Sequence, residues 1–399
     1  MNINQFLLSL KPDKIKKGQE RTDALLKYCG NPHKQLNVIQ IAGTNGKGSV
    51  CAMLDKILRS SGHITGLFTS PHLRKINERI RVNGIAIKDE DIYSFFKKHG
   101  RSVIKTDASF FETLTVLAFL YFQQKQVDVA IMETGLGGRL DSVTVCTPIA
   151  TGITKIDLDH THILGSSLEE IAFEKAGIMK KNTPCFTVEQ NEKVHRVLKE
   201  QSKIRNCSLN VVKNMHNRKI SLHGSHQNQN LGLAISIIKS LSDFNIHDNH
   251  IKTAVDSLVW YGRYQVLSTS PRIIFDVGHN SGGIKAFLST FSNEKIIGKK
   301  YLLIALQAQK DISAIASKIT DSFDTIYCSE LKIKSFMPVN DLKNNLNNHK
   351  NVVAIPTVKE QFIRNIIKNL NKEDAFCIVG SHYFGELISN IFKISFDNL

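Results

Sequence analysis

The sequence predicts an α/β protein built as a P-loop-type, doubly wound, mostly parallel sheet domain followed by a smaller α/β Rossmann-like domain. Three observations predict it. Short continuous apolar runs, the mark of strands buried on both faces, alternate with longer helix-period segments. The first such run opens directly into a glycine-rich turn with a helical stretch behind it. A change of texture after about residue 205 then separates this first alternation from a second one.

Taken in order, Val38-Ile39-Gln40-Ile41-Ala42 reads as a buried strand, and residues 50–60 behind the glycines as a helix. Residues 112–122 are apolar over too great a length for a strand and read as a buried helix. Val127-Asp128-Val129-Ala130-Ile131-Met132 is a second strand closed by Glu133, and residues 148–153 form a third that ends in the polar cluster 155–162. Asn, His and Ser dominate residues 206–230, an amphipathic helix covers 231–241, and a short turn lies at 260–263. Ser268-Thr269-Ser270-Pro271 is the best linker candidate, so domains are expected at 1–268 and 269–399. Beyond it, strands are expected at 272–275, 301–306, 325–328, 352–355 and 375–379.

Composition narrows the function classes. A hydrophobic content of 42% excludes intrinsic disorder. No window holds the roughly 20 consecutive apolar residues of a membrane span. Phe6-Leu7-Leu8-Ser9-Leu10 is too short for a signal-peptide core, so a cytoplasmic protein without a membrane role is expected. The seven cysteines are scattered, odd in number and never in CxxC, which argues for reduced thiols and against a disulfide scaffold or structural zinc. Lys and Arg exceed Asp and Glu by 52 to 36, a formal charge of +16. The cations are dispersed, and the densest run, residues 11–17, contains an acid. That pattern suits anionic small substrates and solubility, and no nucleic acid partner is expected.

The strongest chemical signal is Gly43-Thr44-Asn45-Gly46-Lys47-Gly48-Ser49 between a strand and a helix. Glycines let the backbone N–H groups curl around an anion, and the helix N-terminus adds partial positive charge. Lys47 would reach the β/γ-phosphates, with Ser49 near the phosphates or their metal. The match to GxxxxGK[ST] is imperfect, since Ile41 holds the first glycine's place and Gly48 the Ser/Thr place. Glu133, at a strand end before Thr134-Gly135-Leu136-Gly137-Gly138-Arg139, is placed like a magnesium ligand. Asp157, Asp159, His160 and His162 follow the next strand, although a lone histidine more often serves as a hydrogen-bonding group than as a magnesium ligand. Ser70, in Thr69-Ser70-Pro71-His72-Leu73, offers a hydroxyl on a loop that also reads as a plain turn. Lys175 lies on a helical segment where nothing in the spacing distinguishes it from a surface charge. Asp276-Val277-Gly278-His279-Asn280 brings acid, imidazole and amide to a strand end, and Arg263 could place a guanidinium on phosphate. The cluster 226–230 sits at a helix start, where Asn is also a good cap.

The order of these motifs resembles the folylpolyglutamate synthase/dihydrofolate synthase family, a branch of the Mur ligase superfamily of ATP-dependent amide ligases. The likeness runs over about residues 25–385. It includes Gly30-Asn31-Pro32-His33, residues 43–49, Thr69–Leu73, Asn77-Glu78-Arg79-Ile80-Arg81-Val82-Asn83-Gly84 and Phe110–Thr115. It continues through Glu133–Asp141, Asp159-His160, Glu174-Lys175-Ala176-Gly177-Ile178, His226-Gln227, Asn230, Gly262-Arg263, residues 276–280, Lys310-Asp311 and Gly380-Ser381. Departures are mild: Leu231 follows Asn230 where the family often has Ala, Tyr261 precedes Gly262-Arg263 where Pro is common, and Gly278 stands for a usual Ala.

The resemblance implies that Ser70, Glu133 and His160 coordinate magnesium, and that Lys175 is carbamoylated and catalytic beside Lys47 and His160. A monovalent cation is a further possible cofactor. It implies nucleotide contacts from Thr44, Asn45, Gly46, Lys47, Gly48, Ser49, Asn230, Arg263, Asp276 and His279. Phe111 matches a position that packs on a pterin ring, and Arg79 is a second substrate-binding candidate. The implied reaction joins L-glutamate to dihydropteroate or folates through an acyl phosphate formed with ATP, in a bifunctional enzyme. The family is generally monomeric, and domain closure would exclude water from the acyl phosphate. A monofunctional folylpolyglutamate synthase is the nearest alternative. A peptidoglycan ligase is disfavoured because only about forty residues precede the loop, and a non-enzymatic nucleotide-binding protein predicts no glutamate-dependent ADP release.

Overall fold

The computed structural model describes residue 10 and residues 18–213, 220–331 and 336–399. The apolar residues 6–9 and the basic run 11–17 lie outside the described residues, as does part of the polar stretch 206–230. The chain divides into two compact units. One comprises residues 1–220, 228–258 and 397–399, and the other residues 221–227 and 259–396.

The first unit is organised by an eight-stranded sheet, ordered β4-β3-β2-β5-β1-β6-β7-β8. β1 (Val38–Ala42), β5 (Val129–Glu133) and β6 (Ala150–Ile153) form its centre and are buried along their whole length. Such strands have no solvent face to mark with polar residues, which is why they read as mostly apolar runs without alternation. β2 (Thr65–Phe68) pairs parallel with β5, and β7 (Cys185–Val188) and β8 (Leu209–Val212) extend the other flank in parallel. Beyond β2, the short strands β3 (Ile80–Val82) and β4 (Ile85–Ala86) run antiparallel. The chain leaves β1 toward β2 on one side and later returns to β6 on its other side. The loop after β1 therefore stands where the strand order reverses, the place open α/β sheets bind their ligands.

Helices pack against this sheet. Phe110–Gln124 buries Phe119 and Phe122 completely, in one core cluster with Phe68, Leu25 and Leu26. Ile171, Ala172 and Ala176 of Leu168–Ala176 pack in another cluster with Ile153 and Leu198. The sequence placed these helices correctly but began them late: the expected 50–60 is Lys47–Ser60, and 231–241 is Ser225–Lys239. Polar first turns hide a helix start from a reading based on apolar period.

The second unit is a six-stranded sheet, β13-β12-β11-β14-β10-β9. β10 (Arg272–Asp276), β11 (Lys300–Ile304), β12 (Thr325–Ser329), β13 (Val352–Ile355) and β14 (Ala375–Val379) are parallel, and β9 (Gln265–Thr269) runs antiparallel to β10. This corrects the expected boundary at residue 268. Ser268 and Thr269 end β9 and pair with Ile273 and Arg272, so the Ser-Pro segment is a hairpin turn inside this unit, whose long segment begins at Val259. Ser and Pro are equally natural in a tight turn and in a linker, and composition alone could not separate the two. No helix among the described residues is long and apolar enough to cross a membrane. All seven cysteines are free.

Candidate active site

The loop after β1 is tied down on one side. The backbone N–H groups of Thr44 and Asn45 both donate to the Lys155 carbonyl oxygen, at 3.0 and 3.2 Å. The Thr44 hydroxyl donates to the Asp157 carbonyl oxygen at 3.0 Å and accepts from the Asp157 N–H at 3.1 Å. Thr44 was expected to contact nucleotide, but its N–H and hydroxyl are spent on the segment after β6. The same bonds bring that segment, with Asp159 and His160, alongside the loop. The amides left for an anion are those at the start of Lys47–Ser60, where the first N–H groups of a helix have no intrahelical partner. Gly46 reaches this helix with φ +93°, and a Cβ there would stand 2.6 Å from the Asn230 side-chain oxygen. Asn230 thus seats against the loop where Gly46 leaves it room.

Two amines converge on this loop. Lys47 Nζ donates to the Gly43 carbonyl oxygen at 3.2 Å and to that of Thr44 at 3.3 Å. Lys175 Nζ donates to the same Gly43 oxygen at 2.7 Å, and its side chain is buried. Burial, followed by the charge of Lys47, lowers the Lys175 amine to about 7 against the opposing pull of Asp159 and Asp141. The surface reading of Lys175 is wrong, because Leu168–Ala176 turns this lysine inward.

Oxygen donors lie close by. The Ser70 N–H donates to Glu133 Oε2 at 3.0 Å, which holds the serine loop against the end of β5. The Ser49 hydroxyl is buried without a hydrogen-bond partner, as expected of a group whose partner is a ligand. No group of three or more His, Cys, Asp or Glu side chains suited to a metal exists among the described residues. Hydroxyls and one carboxylate fit magnesium, which takes few protein ligands and completes its shell with water and phosphate oxygen. His160 is less committed: it caps the short helix Thr161–Leu164 with φ +49°, its N–H bonds Asp159 Oδ1 at 2.8 Å, and its ring is about a third exposed.

Next to this cluster stands an aromatic surface. The Phe111 ring lies 5.6 Å from the Phe68 ring and so close to Gly135 that a Cβ there would meet it at 2.5 Å. Arg79 lies over the Phe110 ring at 5.4 Å and donates through Nε to His72 Nδ1 at 2.9 Å. Burial and then Arg79 lower the His72 ring to about 3, so it is neutral with its proton on Nε2. Three groups here went unassigned in the sequence. His72 is one. Glu78 is the second, its carboxylate accepting from the N–H groups of Leu73, Arg74 and Lys75 at 2.8, 2.9 and 2.6 Å. The third is Asp141, whose carboxyl burial raises to about 6 despite N–H donors from Leu136, Val143 and Gly135 and the charge of Lys47. Each stands inside a quoted motif, but a buried carboxylate that organises backbone looks like any other acid in sequence.

In the second unit, Asp276 ends β10, and its carboxylate accepts from the N–H groups of Gly278 at 2.6 Å and Tyr264 at 2.7 Å. Burial raises its carboxyl, opposed by Arg263 and those two N–H groups. His279 Nδ1 donates to the Val277 carbonyl oxygen at 3.0 Å, and its ring faces His382 at 5.6 Å. Asn280 caps the helix Ser281–Phe291 through the Gly283 N–H at 2.8 Å. Burial and then Arg263 lower the His226 ring to about 4. Arg263, Asp276 and His279 therefore share one strand-end region of this unit.

Comparison with known proteins gives this geometry a family. Residues 41–251 match the Mur ligase middle domain and residues 262–382 the Mur ligase glutamate ligase domain. The dihydrofolate synthase/folylpolyglutamate synthase of Bacillus subtilis (strain 168) is 33% identical over 320 residues, 71% of this chain and 74% of that protein. The protein of the same description from Buchnera aphidicola subsp. Acyrthosiphon pisum is 30% identical over 375 residues, 90% of each chain. A structure of E. coli FolC in complex with DHPP and ADP superposes with a TM-score of 0.89 at 26% identity, covering 98% of both chains. The two matched domains and these relatives make the chain a member of the folylpolyglutamate synthase/dihydrofolate synthase family of Mur-type ATP-dependent ligases.

Proposed function

We propose that the chain joins L-glutamate to the carboxylate of dihydropteroate and of reduced folates, converting ATP to ADP and phosphate. The carrying observation is the pair of amines, Lys47 and Lys175, drawn onto one carbonyl of a phosphate-type loop at the reversal point of the sheet. The acceptor carboxylate attacks the γ-phosphorus of ATP, giving an acyl phosphate and ADP. The glutamate amine then attacks the acyl carbon, and inorganic phosphate departs as the amide forms.

The chain's own groups serve this sequence by position and charge. The N–H groups at the start of Lys47–Ser60 cradle the phosphates, and Lys47 swings from its carbonyl contacts onto the transferring phosphoryl group. Ser70, Glu133 and His160 would hold magnesium, which when bound neutralises phosphate charge. Phe111 supplies a flat face for the pteridine, and Arg79 stands beside it. Asn230, Arg263, Asp276 and His279 are our further nucleotide-contact candidates. Lys175 is proposed to carry a carbamate. A buried amine depressed to about 7 is substantially neutral at physiological pH, and the neutral amine is the form that adds to carbon dioxide.

The route is tested with an acceptor whose carboxylate carries heavy oxygen. Transfer of one heavy oxygen into the released phosphate supports the acyl phosphate. Phosphate free of the label contradicts it.

A further inference from the structure

We propose that Gln19 and Arg21 are positioning residues for the acyl acceptor, bracing from one short segment the two walls that fix the pose of the Phe111 ring on which the acceptor stacks. The inference rests on the reading of Phe111 as the platform for that ring. The first wall is the start of the helix Phe110–Gln124, which carries Phe111; the second is the loop from Gly135 to Asp141, against which the Phe111 ring packs.

Each wall is held by one residue of the segment. Arg21 engages Glu112 through Nε at 3.0 and 3.2 Å from its two carboxylate oxygens, and through a terminal nitrogen at 2.9 Å from Oε1. Glu112 is buried and its Oε2 also accepts from the Ser109 N–H at 2.6 Å. The guanidinium therefore fixes the carboxylate that closes the first turn of the helix, one residue after Phe111. Two places earlier in the chain, the Gln19 side-chain amide donates to the Arg139 carbonyl oxygen at 3.0 Å and, more weakly, to that of Asp141 at 3.4 Å. On its other side the loop is held by the Arg139 N–H on the Glu174 carbonyl oxygen at 2.7 Å, next to Lys175.

This arrangement separates the roles of neighbouring groups. The anchors of this segment, Glu112 and the Arg139 and Asp141 carbonyls, lie outside Gly43–Ser49, so loosening it shifts the pose of the Phe111 ring against the Gly135–Asp141 loop. Ring stacking depends on that pose to within a fraction of an ångström, and a misplaced acceptor loses affinity before it loses chemistry. An ordinary stabilising contact would lower the amount of folded protein and leave every Michaelis constant alone.

The test uses the full chain with Gln19→Ala, Arg21→Ala, Arg21→Lys and the Gln19→Ala/Arg21→Ala pair. Michaelis constants for dihydropteroate or tetrahydrofolate, ATP and glutamate are measured at saturating partners, with ADP affinity by calorimetry. The expected result is an acceptor KM raised about tenfold in the pair and less in the singles, with ATP KM and ADP affinity within about twofold of wild type. Arg21→Lys should fall between wild type and Arg21→Ala, since a lysine cannot reproduce the forked contact. An acceptor KM unchanged in the pair overturns the proposal. So does a parallel loss of ADP affinity, which marks general unfolding of the unit. A wild-type protein that turns over neither acceptor fails the functional reading instead, and direct calorimetric binding of the acceptor to wild type and pair then decides the positioning role by itself.

Discussion

Lys47 and Lys175 donate to the same acceptor, the carbonyl oxygen of Gly43, from 3.2 and 2.7 Å. Burial, followed by the charge of Lys47 beside it, depresses the Lys175 amine from 10.5 to about 7. An unfolded chain would bind a proton at this lysine that the folded one releases between those values. Stability attributable to Lys175 therefore rises with pH across that interval and is least below pH 7. Lys175→Met removes the effect. In carbon dioxide-free buffer the variant should be more stable than wild type at pH 6, by denaturant unfolding, with the gap narrowing toward pH 9, while ligase activity is lost. A gap that is constant or widens with pH contradicts the depressed amine.

Lys47 has the opposite character. Its contacts with Gly43 and Thr44 are to carbonyls at a loop surface, so Lys47→Ala should leave the unfolding midpoint near that of wild type. Turnover should fall by about a thousandfold or more, as for loss of an electrostatic clamp on a transferring phosphoryl group. Near-normal turnover would remove the lysine from the reaction.

Thr44 tests how the loop is held. Thr44→Val keeps the shape of the side chain but ends both hydroxyl bonds to Asp157, leaving a half-buried N–H and carbonyl to find other partners. A stability loss of about 1–2 kcal/mol is expected. The rise in ATP KM should be far smaller than the effect of Lys47→Ala. A large KM change with no stability change would return Thr44 to the nucleotide.

Glu78 tests the serine loop. Its carboxylate gathers three successive N–H groups, so Glu78→Ala strands three donors and should lower stability by about 2 kcal/mol or more. Because the loop also carries Ser70, the magnesium concentration for half-maximal activity should rise, whereas Glu78→Asp should recover part of both effects. Unchanged magnesium dependence would separate the loop from the metal.

The sequence disclosed the parts of this molecule whose physics is local. Five-residue apolar runs became β1, β5 and β14 because strands buried on both faces admit little else, and glycines between strand and helix marked the anion loop. What it could not disclose was which partner a side chain takes across sequence distance. The sequence shows Thr44 as a member of the anion loop, but not that Asp157, 113 residues away, accepts from its hydroxyl. Lys175 reads as surface until its helix is packed inward, and Gln19 and Arg21 carry no motif at all. The hairpin at Ser268–Pro271 was read as a linker because nothing local tells a turn that pairs strands from one that joins domains.

The central claim is amide formation between a pteroate or folate carboxylate and glutamate, and the most direct measurement is ADP release by the purified chain with ATP, magnesium and L-glutamate. Dihydropteroate and tetrahydrofolate are supplied in turn as acceptor. The account predicts ADP release that requires both glutamate and an acceptor, is supported by each acceptor, and is matched one for one by glutamate incorporated into product. Release supported by tetrahydrofolate alone would restrict the chain to lengthening existing tails. ADP release independent of glutamate, or none with either acceptor, would contradict the account.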